Sequence, residues 1–460
     1  MKHPSLFLLL FAVLAIPAFA QEKSPNASLP STAAGKHVEA YLRAFNTDSE
    51  TSMSSFFESH TAKNALTETP VEARLSRFRQ MKQRLGSLQL RKVLGSSNES
   101  VSIAAKAGNG SLVQLDFQFE PTPPHGLLGI RVEDLDDEDK AQPAGDRKSS
   151  DAELVKAVSR YLDDLSKMDE FSGVVLIAKR GKLLFERAYG YADRDIKVPN
   201  TVDTRFNLGS INKRFTKTAI HVLAAEGKLS LSDHIGKFLP DYPNKQAAAK
   251  VTIQQLLEMK SGIGDFFGER YERTPKERIR SIADYLPLFA DKPLEFEPGT
   301  SRRYSNGGYV VLGAIIERVT GKDYYTFAKE RIFLPAGMLG TDSFEKDKDV
   351  PQRALGYTRE DGGTNRGWRS NYSTLPAKGS SAGGGYSTVH DLLKFAQALE
   401  KGTFPAPDTE QGLGIAGGAP GMNSALEWDP PTGYVIVVLS NFDPPSAEKV
   451  ARQIRGWLPR

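Results

Sequence analysis

Ser210-Ile211-Asn212-Lys213-Arg214-Phe215 heads a segment, Ile211 to Glu226, in which Phe215, Ala219, Val222 and Leu223 recur on one helical stripe before Gly227 marks the stop. Positions i and i+3 share a helix face, so the Lys213 amine reaches the Ser210 hydroxyl as a base reaches a nucleophile. A serine at a helix start is also the ordinary N-cap. The first turn carries Lys213 and Arg214, with Lys217 one turn on, where the helix dipole disfavours cations and a purely structural helix gains from Asp or Glu. The same field lowers the pKa of a buried Lys213 and stabilises a Ser210 alkoxide. On these residues alone cap and nucleophile fit equally well. Ser343-Phe344-Glu345-Lys346 and Ser446-Ala447-Glu448-Lys449 repeat the spacing, so context has to choose.

The context lies downstream. Tyr304-Ser305-Asn306 sits in a Gly/Pro-rich loop, Phe296 to Tyr309, that leads into a helical pattern over Tyr309 to Thr320 ended by Gly321. Tyr242-Pro243-Asn244 has the same Tyr-x-Asn spacing in an ordinary proline turn.

The order Ser210/Lys213, then Tyr304/Asn306, resembles the S-x-x-K and Y-x-N motifs of the serine β-lactamase and penicillin-binding-protein superfamily. Within it the chain is most similar to the branch of class C β-lactamases, D-alanyl-D-alanine carboxypeptidases and related esterases. Gly173 to Gly190, Val251 to Phe266, Gly384 to Phe395 and Gly417 to Asn441 match in the same order, so the likeness covers roughly Asp151 to Arg460. The resemblance implies an exported serine acyl hydrolase in which Ser210 attacks a carbonyl while Lys213 and Tyr304 exchange its proton and pass it to the leaving group. It also implies substrate-binding roles for Asn306, Gly417 and Gly418. Asn306 would bond the acyl side chain and position Lys213, and the amides of Ser210 and Gly418 would hold the oxyanion. It implies no metal and no organic cofactor. His221 and His390 have no partners at metal spacing.

One position departs from the family. Its third motif is usually Lys or His, a small residue, then Gly; the aligned run Gly414 to Gly421 places Ile415 at the cationic position. Isoleucine neither donates a hydrogen bond nor holds a carboxylate. The departure favours neutral esters over β-lactams and D-alanyl peptides, with Arg302 and Arg303 as the local cations that could replace the missing charge. Penicillin-binding carboxypeptidase or β-lactamase activity, and a sensor that keeps the pocket without turnover, are the alternatives.

The 460 residues suffice for two domains, and a formal charge of +4 without a basic block points away from nucleic acid. The small-molecule partner is an ester, an amide or a peptidoglycan-related compound; nothing in the residues sets an oligomeric state. Met1 to Ala20 reads as a cleavable signal peptide, with Lys2 and His3, apolar Leu6 to Ile16 and Ala18-Phe19-Ala20, which directs a bacterial protein to the periplasm or the medium. No later segment reads as a membrane span, and with no cysteine there is neither a lipid anchor nor a disulfide.

Residues 21–35 read as a disordered leader, 36–134 as a small domain and 135–150 as a charged linker. In the small domain, helical patterns at Val38 to Phe45 and Glu72 to Arg84 precede alternating segments at Leu88 to Val93, Val101 to Ala107 and Ser111 to Phe119. It resembles the nuclear-transport-factor-like cone fold and reads as a spacer or docking module rather than a second enzyme. Residues 151–460 carry terminal helices at Asp151 to Met168 and Ser446 to Trp457, and hairpins about Arg180-Gly181 and residues 429–433. The expected fold class is α/β (α+β): a β-lactamase-like antiparallel sheet flanked by helices plus a helical region, preceded by the small α+β cone-like domain.

Overall fold

The computed structural model describes residues 29–47, 49–96, 100–120, 122–135, 150–359, 367–405 and 412–459, in two compact units divided at Arg147/Lys148. The signal-peptide segment 1–20, most of the leader and almost all of the linker lie outside the described residues.

In the first unit, α1 (Ala33–Asn46), α2 (Glu50–His60), α3 (Lys63–Glu68) and α4 (Val71–Leu85) precede the antiparallel meander β1 (Leu88–Ser96), β2 (Ser100–Ala107), β3 (Leu112–Phe119) and β4 (Leu127–Leu135). Alternation along β2 and β3 turns Val101, Ile103, Val113, Leu115 and Phe117 onto Val38, Tyr41, Phe45 and Phe56 of the helices, which makes one core. Helix α1 corrects the leader boundary: it begins at Ala33, because Thr32 caps it by accepting from the Gly35 amide at 3.2 Å. Helices α2 and α3 and strand β4 went unpredicted. Helix α2 buries only Met53, Phe56 and Phe57 in a run rich in serine, too few apolar positions to set a period.

The second unit opens with α5 (Asp151–Lys167), started by a reciprocal Ser150/Glu153 capping box. It continues through β5 (Gly173–Lys179), β6 (Lys182–Tyr189), α6 (Asn212–Ala225), α7 (Asn306–Thr320), α8 (Val389–Glu400), β7 (Leu413–Ala419), β8 (Met422–Asp429), β9 (Tyr434–Ser440) and α9 (Ser446–Gly456). The five strands form one antiparallel sheet in the order β7-β8-β9-β5-β6, so strands from both ends of the unit pair at its centre. Both faces of the central strands are covered, which is why β5 reads as an unbroken apolar run. Val174, Leu176, Val437 and Leu439 face the helical region with Phe215, Leu312 and Phe395. Val175, Ile177, Ile436 and Val438 face Leu154, Val158, Val450 and Ile454 of the terminal helices. Strand β7 is an edge strand, and its free side adjoins the turn that carries Ser210.

Candidate active site

Ser210 is not a cap. It lies in a one-turn 3-10 segment, Gly209–Ile211, that feeds α6, and the residue at the cap position, Ile211, makes no side-chain cap bond. The Ser210 hydroxyl instead bonds the Tyr304 hydroxyl and accepts from Lys213 Nζ at 3.0 Å. The turn is pressed against β7 so closely that side chains are excluded. A Cβ on Gly417 would stand 2.1 Å from the Leu208 oxygen and 2.6 Å from the Ser210 nitrogen, and one on Gly209 would stand 2.8 Å from the Gly418 nitrogen. Ser210 and Gly418 thereby line the same cleft.

Lys213 is 6% exposed. Its Nζ lies 2.7 Å from Asn306 Oδ1, 2.6 Å from the Ala382 carbonyl and 4.7 Å from the Tyr304 ring centroid. Burial lowers its pKa to about 7, against an opposing upward pull from the Asp265 carboxylate. Near that pH the neutral amine can give its two N–H groups to Asn306 and Ala382 and turn its lone pair to Ser210.

Asn306 is the first residue of α7, not a loop residue as the sequence suggests. Ser305 takes the cap, accepting from the Gly308 amide at 2.8 Å. Asn306 Nδ2 donates to Asp265 Oδ2 at 2.6 Å. An ionised carboxylate only accepts, so Asp265 fixes the amide with Oδ1 toward Lys213. Asp265 is thus a site residue that the sequence reading left unassigned, although it closes the quoted stretch Val251 to Phe266. Tyr304 is 51% exposed at the cleft, yet partial desolvation still raises its phenol pKa, helped by Asp265 and opposed by the Ser210 bond.

A cavity of about 1060 Å³ opens over Ser210 and Tyr304. Phe266, Phe267 and Tyr271 form an aromatic wall, with ring centroids 4.4 Å apart for the two phenylalanines and 5.0 Å for Phe267 and Tyr271. Arg302 and Arg303 do not line it, and Arg303 is paired with Glu295 at 3.0 Å. The cations that do line it are Arg273, Lys276, Lys346 and Arg369.

The repeated spacings separate here. Lys346 serves Glu277 and the Leu375 carbonyl, Ser446 bonds Ser440, and Asn244 caps a short helix. His390 pairs with Glu186 at 2.7 Å, and no group of three or more metal-ligating side chains occurs among the described residues. No described helix is long and apolar enough to cross a membrane.

A family model described as Beta-lactamase matches residues 158–457, and the chain belongs to that family, whose members are serine hydrolases. It is 33% identical over 207 residues to penicillin-binding protein 4* of Bacillus subtilis (strain 168), covering 44% of this chain and 45% of that one, so the match spans less than half of that relative. Among solved structures, a penicillin-binding protein from Bacillus halodurans superposes with a TM-score of 0.58 at 28% identity, over 65% of this chain and all of that one. D-amino acid amidase from Ochrobactrum anthropi SV3, complexed with L-phenylalanine amide, gives 0.55 at 26% identity, over 66% and 97%.

Proposed function

We propose that this protein is an exported serine acyl hydrolase that forms an acyl-enzyme on Ser210 and turns over esters that carry no carboxylate. The observation that carries the ester preference is the strand beside the serine. Ile415 lies two residues before Gly417, on the same face of β7 by strand alternation, and packs against the core, so that face presents no cation to a substrate carboxylate.

In the proposed mechanism Lys213, neutral above pH 7, takes the Ser210 proton as Oγ bonds to the carbonyl carbon, while the amides of Ser210 and Gly418 hold the developing oxyanion. Tyr304, whose raised pKa keeps it protonated, suits the relay that hands a proton to the leaving alcohol as the ester bond breaks. Water attacks the acyl-enzyme by the reverse proton path and frees the acid. Asn306 and Asp265 position Lys213. The aromatic wall suits an apolar arm of the substrate.

A second reading, hydrolysis or capture of D-alanyl peptides and β-lactams, draws support from the two penicillin-binding relatives and from Arg273 and Lys276 in the cleft. The two readings separate on kcat/KM for p-nitrophenyl acetate and a chromogenic cephalosporin. A missing charge-assisted partner costs about 1.5–3 kcal/mol, or roughly ten- to a hundredfold in rate. The ester should therefore be favoured by at least that margin, and Ile415→Lys should narrow it. Efficient cephalosporin hydrolysis by the wild type would reverse the ester preference.

A further prediction concerns Asp265. Its carboxylate holds the Lys213 pKa up, so Asp265→Asn should move the acid limb of the kcat/KM profile to lower pH. A limb that stays in place would mean that Asp265 acts on Asn306 alone.

A further inference from the structure

Building on the reading of Ser210 as the acylated residue, we propose that Glu448 makes the strand end of the cleft selective for substrates that carry an ammonium group. Glu448 stands in the first turn of α9 and lines the same cavity as Ser210 and Gly418. It is held from two sides by one buried amide: its backbone N–H donates to Asn423 Oδ1 at 3.0 Å, and its Oε1 accepts from Asn423 Nδ2 at 3.0 Å. The same Nδ2 donates to the Gly417 carbonyl at 3.1 Å, and a Cβ on Gly418 would lie 3.0 Å from it. A single side chain therefore separates the Glu448 carboxylate from the strand residues that press on the Ser210 turn.

A carboxylate offers about four acceptor sites, and Asn423 fills one. The ion pairs of the described residues do not include Glu448. Of the four cations that line the cleft, three are committed elsewhere in its wall: Lys346 to Glu277 and Leu375, Lys276 to the carbonyls of Tyr271 and Thr274, and Arg273 to Glu269. A half-buried carboxylate with spare acceptor capacity gains from an incoming cation and opposes an incoming anion. The motif Ser446-Ala447-Glu448-Lys449, which lacks a serine–lysine contact, thus contributes its third residue to the cleft instead.

The test uses isosteric pairs that differ only in charge. Acetylthiocholine and 3,3-dimethylbutyl thioacetate place the charge in the leaving group; p-nitrophenyl 4-(trimethylammonio)butyrate and p-nitrophenyl 5,5-dimethylhexanoate place it in the acyl group. In at least one pair the cation should have the higher kcat/KM by about tenfold, the size of a Coulombic contact with a half-buried carboxylate. Glu448→Gln, which keeps an oxygen for Asn423, should bring that ratio to near one. A ratio near one in the wild type for both pairs, or a preference that survives in Glu448→Gln, overturns the proposal. Choline binding to Ser210→Ala, measured by calorimetry, judges Glu448 apart from the chemistry: it should weaken about tenfold on adding Glu448→Gln, and unchanged affinity counts against Glu448. If the neutral esters are cleaved equally well by Ser210→Ala, it is the Ser210 reading that fails.

Discussion

Ser210→Ala should abolish ester turnover and covalent labelling while leaving the fold in place. The substitution removes one oxygen that serves no cap, since the cap position belongs to Ile211 and makes no side-chain bond. Lys213 keeps Asn306 Oδ1 and the Ala382 carbonyl as acceptors, so no buried amine is stranded. The stability change is the loss of one or two exchangeable hydrogen bonds, about 1 kcal/mol, which in a unit of this size moves Tm by roughly 1–2 °C. The catalytic loss is of another order, because the covalent path itself disappears: roughly a thousandfold or more in kcat. Fluorophosphonate labelling followed by peptide mass spectrometry reads the first effect, and calorimetry the second. Retained turnover of any ester that the wild type hydrolyses would remove Ser210 from the mechanism.

The parts of this architecture that were legible in the sequence are those that follow from periodicity and chain order. Val174 to Ala178 is apolar without a break because both faces of β5 are covered, and the hairpins and terminal helices follow from turn residues and amphipathic stripes. Ser210, Lys213, Tyr304 and Asn306 could be named because two short motifs occur in the family's order, and the structure brings all four within hydrogen-bonding reach of one another as a connected set. What could not be read were contacts made by groups without a sequence signature. Any residue can present a carbonyl, so nothing marked Ala382 as an acceptor for Lys213. Asp265 lay in a matching stretch, but its role depends on the packing of its loop against the start of α7, where Ser305 bonds the Gly264 oxygen at 3.0 Å. The Arg302 and Arg303 expectation failed for the same reason: adjacency to Tyr304 in sequence does not set the direction in which a long side chain leaves the loop, and Arg303 leaves it toward Glu295.

The pH profile gives the sharpest separation between proton transfer and mere charge at Lys213. With its pKa lowered to about 7 by burial, the free enzyme should gain activity as the amine loses its proton, with kcat/KM rising from acidic pH to a plateau above neutrality. The sign follows from the role: a base works in its deprotonated form, so protonation below pH 7 suppresses the rate, whereas a group needed only for its positive charge would lose function as pH rises. Lys213→Arg divides the two cases at constant charge. Arginine stays protonated throughout the accessible range, with a pKa above about 12, and cannot accept the Ser210 proton. Its larger guanidinium must also enter a site where Asn306, Ala382 and the Tyr304 ring already enclose the amine. The variant should therefore lose most of its activity, by roughly a hundred- to ten-thousandfold, the range that general base catalysis supplies. Lys213→Met, which preserves length without a base or a charge, controls for the steric change. An arginine variant that stays active while the methionine variant does not would show that the position supplies charge rather than a proton acceptor, and the base would then have to be sought at Tyr304.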